Sequence, residues 1–159
     1  MISVFDPPQT YRQWLDLMNH LQEYPLDTGA LDALARGTYL GTPAPMFQER
    51  LSETVSLALT HHTRRFLRQM DEAFADGETD MIPLLASRMK KNIRRCLVYR
   101  QLDFLDTEYV RTLDRGYREQ LESFWENLLR ELGKSARESG SGELEDLVLE
   151  LKRIRIVNE

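Results

Sequence analysis

The sequence predicts a mainly α-helical protein: an antiparallel bundle of about five helices, three of them long, with a short strand or helix after a C-terminal linker. Charged residues make up 30% of the 159 residues, with only 8 Gly and 6 Pro, a composition that favours helix. Apolar residues recur every three or four positions through three long segments. Proline and glycine fall mostly between those segments, where they mark connections.

Two shorter helices are predicted before the long ones. Asp6, followed by two prolines, has the pattern of a helix N-cap with proline in the first turn. Apolar residues repeat at helical spacing over residues 11–21, until Tyr24 and a following proline stop the helix. Asp27 or Thr28 is expected to cap the second helix.

The three long helices are expected at about residues 44–75, 79–105 and from Thr107 onward. Gly77 is expected to end the first of them, and a good capping hydroxyl begins the third. The buried side of the first long helix is predicted from its three- and four-residue spacing: Phe47, Leu51, Val55, Ala58, His62, Phe66, Met70 and Phe74.

The C-terminal region is predicted to be separate from the bundle. Residues 1–138 are assigned to a helical bundle domain and residues 139–145, rich in Gly and Ser, to a flexible linker. Residues 146–159 then begin a small β domain or form a docking segment. Periodicity alone supports helix and strand equally there, because Leu147 and Leu151 fit both repeats.

The residue types argue against an enzyme. His61 and His62 are adjacent, and on a helix they point about 100° apart, which is unsuitable for chelating one metal ion. The single cysteine, Cys96, lies beside an apolar stripe and is expected to be structural. No phosphate-binding glycine loop or catalytic motif is present. No catalytic, metal or cofactor residue is therefore assigned.

A cationic helix stands out in a chain whose net charge is −5. Folding this helix back on residues 64–68 predicts a basic belt, which three glutamates of the next helix, Glu119, Glu122 and Glu126, would approach. The belt has three interpretations: an interhelical ion-pair network, a contact surface for another protein, or a nucleic-acid site. The cations of the helix are Arg88, Lys90, Lys91, Arg94, Arg95 and Arg100.

The same helix resembles a known family. The residues concerned are Asp80, Met81, Ile82 and Pro83, then Asn92, Arg94, Arg95, Cys96, Leu97, Val98 and Tyr99. This pattern is similar to the central helix of GINS subunits, above all those of the Psf-one type. The segment from Leu149 to Arg155 resembles the first strand of that family's β domain, which favours strand at the C-terminus.

The resemblance implies a non-enzymatic scaffold. GINS is a hetero-tetramer of sister subunits that supports the replicative CMG DNA helicase at initiation and elongation. The implied partners are those sister subunits, the MCM helicase ring with its Cdc partner, and a replicative polymerase, with any DNA contact indirect. The implied location is nuclear, or cytoplasmic in a prokaryote. The lone cysteine and the absence of a signal peptide or membrane span fit these compartments.

The expected partner contacts combine the cations with apolar residues that lie off the main stripes. Two alternatives to the scaffold stay open. One is a homodimeric helical adaptor with a C-terminal docking helix, and the other is a nucleic-acid-binding module that uses the basic belt. The candidate contact residues are Arg88, Lys91, Arg94, Arg95, Tyr99, Arg100, Trp125, Leu129, Leu149 and Leu151.

Overall fold

The computed structural model describes residues 5–156, and in that range it contains helices and no strand. The prediction of a mainly helical protein is confirmed. Two 3-10 helices, Thr79–Met81 and Arg95–Gln101, flank α4. The six α-helices are α1 (Tyr11–Glu23), α2 (Thr28–Ala35), α3 (Pro45–Ala75), α4 (Ile82–Arg94), α5 (Thr107–Ser139) and α6 (Gly142–Ile156).

The chain divides into two compact units. The residues up to His62, together with Asn92–Tyr117, form the first unit. Thr63–Lys91, together with the residues from Arg118 onward, form the second. The boundary expected at residues 139–145 is a different division, and it remains a prediction about domain organisation. Within that segment the chain completes α5, turns, and starts α6.

The first helix begins later than its prolines suggested. Thr10, not Asp6, is the N-cap of α1. The Thr10 side chain accepts a hydrogen bond from the backbone N–H of Gln13, and the Gln13 side chain accepts one from the backbone N–H of Thr10. This capping box provides hydrogen-bond acceptors for two backbone N–H groups that have no acceptor within the helix. Asp6, which two prolines follow, does not form such a box. Of the two residues predicted to cap α2, Asp27 is the N-cap, and its side chain accepts from the N–H of Ala30.

An aromatic cluster lies at the centre of the first unit. The Trp14 ring is fully buried and lies edge-on to Phe47, with ring centroids 5.2 Å apart. Phe104 and Tyr39 pack against the same pair. The indole N–H of Trp14 donates to the backbone oxygen of Thr38 at 2.7 Å. The cluster therefore buries large rings while giving the one indole donor a partner.

The cationic helix is not continuous. The prediction of one helix over residues 79–105 is wrong in detail, because the α-helix ends at Arg94 and the chain tightens into a 3-10 helix. A 3-10 helix has three residues per turn, so residues three apart lie one above the other. Cys96 and Tyr99 have this spacing, and both are buried. The tighter winding thus directs both side chains into the core of the first unit.

In the second unit, glycines end two long helices. Gly77 adopts a positive φ of 70° after α3. Its N–H donates to the oxygen of Phe74, and the N–H of Glu78 donates to that of Ala73, which is the Schellman arrangement. Gly140, with a φ of 64°, ends α5 by a hydrogen bond to Ala136. The predicted stop at Gly77 is confirmed.

The C-terminal segment is helical, and the strand favoured by the family resemblance is not observed. Ser141 caps α6, with its side chain accepting from the N–H of Leu144 at 3.3 Å. Acidic residues lie in the first turn and arginines in the last, as the helix dipole prefers. Leu147, Val148 and Leu151 share one face and are buried. The sequence fits the helix repeat and the strand repeat equally well here, and the helix is the form that buries these three residues on one face.

We expect substitution of Gly37 by alanine to destabilise the first unit by about 1–3 kcal/mol, because the space is already filled. A Cβ added there would lie 2.4 Å from Cζ2 of the buried Trp14 ring. Gly116 is the matched control, since it lies within α5 and an added Cβ meets nothing within 4 Å. Gly116→Ala should stabilise the chain by about 0.5–1 kcal/mol. Chemical denaturation of both variants measures these changes, and equal effects would contradict the packing around Trp14.

Candidate interaction surfaces

The ten candidate contact residues separate into buried and exposed groups. Four pack inside the chain and present no surface to a partner: Tyr99, Trp125, Leu129 and Leu151. Five are exposed: Arg88, Lys91, Arg95, Arg100 and Leu149. Arg94 is half-buried. The apolar candidates were thus mostly core residues, whereas the cations are mostly on the surface.

In the first unit, Tyr99 and Arg100 belong to an internal polar cluster. The Tyr99 hydroxyl donates a short hydrogen bond to Oδ1 of Asp114, and Nε of Arg100 donates to the same oxygen at 2.9 Å. Burial, reinforced by the Asp114 carboxylate, raises the pKa of Tyr99 well above its usual range. The Arg100 charge is balanced by Asp114 of the same chain, so Arg100 is a weaker candidate for partner contact than the cations that have no such pair.

Cys96 is an apolar packing residue in this structure. Its thiol is 2% exposed, and burial raises its pKa to about 12. A protonated thiol is a poor nucleophile and a poor metal ligand at neutral pH. The arginines that precede Cys96 in sequence therefore do not activate it.

In the second unit, the acidic residues expected beside the basic belt contact a different cation. Glu122 forms an ion pair with Arg155 of α6, and Oε1 of Glu126 lies 4.0 Å from the same guanidinium. Arg88 and Lys91 are exposed, and neither takes part in an ion pair within residues 5–156. These two charges are thus available to another molecule.

Two exposed apolar residues precede these cations at helical spacing. Met81 is 39% exposed and Leu84 is 45% exposed. Together with Arg88 and Lys91 they repeat at intervals of three and four residues. Met81 ends the 3-10 helix that leads directly into α4, and the other three residues lie on α4, so this spacing brings the four side chains to one side. We call these four residues the α4 stripe. The apolar half of this stripe is not among the predicted contact residues, although the sequence contains the same spacing.

Another side of α4 holds α6 in place. Lys90 Nζ donates to the backbone oxygen of Ile154 at 2.6 Å. Near the start of both helices, the Thr79 hydroxyl donates to the Glu143 carboxylate. Both contacts join residues 64 positions apart, so α4 and α6 run parallel and in register. Lys90 thereby caps carbonyl groups that the last turn of α6 leaves open.

The described chain offers no metal cluster and no membrane span. Nowhere in residues 5–156 do three His, Cys, Asp or Glu side chains come together as metal ligands would. None of the helices in this range is long and apolar enough to cross a membrane. Comparison of the chain with protein-family models, with curated proteins and with solved structures found no match.

We expect Lys90→Met to fray the end of α6. Loss of a charge-assisted cap at a helix C-terminus removes about 0.5–2 kcal/mol of local stability. Amide hydrogen exchange should accelerate in the last turn of α6 and stay unchanged in α1. Lys91→Met, one residue along and fully solvated, is the matched control and should leave α6 protected. Equal exchange in the two variants would contradict the capping role.

We expect stability to fall in alkaline solution partly because of Cys96. Its pKa is 9.0 in an unfolded chain and about 12 when folded, so its contribution is complete below pH 9 and is lost as the pH rises towards 12. One such group gives a slope of about 1.4 kcal/mol per pH unit. Cys96→Ala should flatten the decline between pH 9 and pH 10, measured by urea denaturation, before buried tyrosines contribute. An unchanged slope would contradict this assignment.

Proposed function

We propose that this chain is a non-enzymatic helical interaction subunit whose α4 stripe binds an acidic, amphipathic partner. The observation that carries the proposal is the stripe itself: two exposed apolar side chains followed by two exposed cations on one side of a helix. A surface of this kind matches a partner that offers apolar side chains next to carboxylates.

The two halves of the stripe contribute differently to binding. Burying Met81 and Leu84 removes apolar surface from water, which stabilises a complex by about 25 cal/mol per Å2. Arg88 and Lys91 add little affinity as exposed charges, but they orient the partner and accelerate its approach. The apolar half also favours a protein over nucleic acid, since phosphate contacts need only the cations.

The finer form of the proposal is a GINS-like scaffold. The residues from Asp80 to Pro83 and from Asn92 to Tyr99 support it through their resemblance to the Psf-one type. In this form the helices build an antiparallel bundle, sister subunits cover the α4 stripe, and the assembly works at the replicative helicase in the nucleus. The helical C-terminal segment differs from the strand that this family pattern contains at Leu149 to Arg155.

The proposal predicts that Arg88→Glu with Lys91→Glu weakens partner binding. The tagged chain would be purified from its native cells, and each co-purifying protein would be titrated against wild type and variants. A drop in affinity of at least tenfold is expected, because two attractive charges become repulsive. The matched control is Lys134→Glu with Arg137→Glu, an equal charge change at two exposed positions three residues apart on α5, outside the basic belt and in the same unit.

Three results separate the proposal from its rivals. Equal loss of binding in both double variants would show a general charge effect and contradict a role for the stripe. Salt-sensitive binding of duplex DNA that the uncharged substitution Leu84→Ser leaves as strong as in wild type would favour the nucleic-acid alternative. For the finer form, co-expression with GINS sister subunits should give one hetero-tetramer, and a chain that elutes apart from them would contradict it.

A further inference from the structure

The outer face of α6 carries a second regular stripe. One face of the helix is buried in the second unit through Leu147, Val148 and Leu151. The side of the helix away from these residues includes five exposed residues at alternating intervals of three and four, the spacing of a coiled-coil seam. We call these five the α6 stripe: Gly142, Glu145, Leu149, Lys152 and Ile156.

We propose that the α6 stripe binds the α6 stripe of a second copy of this chain, in antiparallel orientation about a two-fold axis at Leu149. Leu149, 64% exposed, then meets Leu149 of the second copy at the centre. Glu145 lies within one residue of the level of Lys152 of the second copy, and the symmetry repeats this pair. Such an interface is isologous, as in most small dimers.

The ends of the stripe match in size as well. With the axis at Leu149, the residue seven before it lies level with the residue seven after it. Gly142 therefore faces Ile156 of the second copy, whose side chain is 74% exposed. A Cβ added at Gly142 would meet nothing within 4 Å, so the space above it is open. The smallest residue of the stripe thus lies opposite a large apolar one.

The charges that the pairing uses are not committed elsewhere. Glu145 and Lys152 take part in no ion pair within residues 5–156, whereas their neighbours Arg153 and Arg155 pair with Glu150 and Glu122. A parallel pairing would place Glu145 beside Glu145 and Lys152 beside Lys152, which is repulsive. The order of charges along the stripe therefore selects the antiparallel arrangement and a self-complementary partner.

The dimer is expected to be weak. Two helices of 15 residues bury less than the roughly 1,200 Å2 that stable interfaces start from. Exposed ion pairs contribute little to affinity, so the charges set orientation while Leu149 and Ile156 supply affinity. Dissociation in the micromolar range fits these terms. Because the face differs from the α4 stripe, dimerisation and partner binding are independent properties.

The test is sedimentation of the full chain over a wide concentration range. Wild type should change from monomer to dimer, and Glu145→Lys or Lys152→Glu alone should weaken dimerisation at least tenfold. Mixing these two variants should restore a dimer. One chain then carries lysine at both positions and the other carries glutamate at both, so each lysine lies opposite a glutamate. The matched controls Glu131→Lys and Lys134→Glu, exposed on α5, should dimerise like wild type. Circular dichroism verifies that all variants are folded.

Several outcomes would overturn the pairing. A wild-type monomer at every concentration ends it, as does a dimer that Leu149→Asp and both charge variants leave unchanged. Binding of another protein's helix to the α6 stripe, without self-association, would replace the second copy as occupant. Arg88→Glu with Lys91→Glu should leave dimerisation intact, so failure here is distinguishable from failure of the α4 stripe.

Discussion

The burial of Tyr99 is the constraint on which the first unit depends. A tyrosine ring with no exposed surface must find an acceptor for its hydroxyl group, and Asp114 of α5 provides it. The acceptor is itself charged, so Arg100 is drawn to the same carboxylate. The segment that carries Cys96 and Tyr99 winds as a 3-10 helix, and α2 packs against it.

Cations that look alike in sequence make different contacts in the structure. Arg100 balances a half-buried carboxylate in the first unit. Arg155, together with the neighbouring Lys90, ties α6 to the rest of the second unit. Arg88 and Lys91 remain in water. Because these two exposed charges take part in no ion pair within residues 5–156, they can reach another molecule, and the proposed function concerns them for this reason.

Helices α4 and α6 share one structural feature. Each buries one face and exposes a second stripe with the spacing of a packing seam. Their charges differ in order, however. The α4 stripe is apolar and then basic, which calls for a partner of opposite charge. The α6 stripe has its acid and base placed symmetrically about Leu149, which makes it complementary to itself. This ordering, more than the total charge, distinguishes the two surfaces.

The sequence by itself determined the helical class and the stop at Gly77, and it restricted the cap of α2 to Asp27 or Thr28, because spacing, capping oxygen atoms and positive-φ glycine act over a few neighbouring residues. The buried side of α3 followed from spacing too, with Phe66 and Met70 in the core. Only the tertiary structure decided the break after Arg94, the helix at 142–156 and which cations stay exposed. Those outcomes depend on distant residues: Asp114 for Tyr99, Lys90 for the end of α6, and the core that covers Leu147 and Leu151. A local pattern that fits two structures equally is settled by whichever buries its apolar side and satisfies its polar groups.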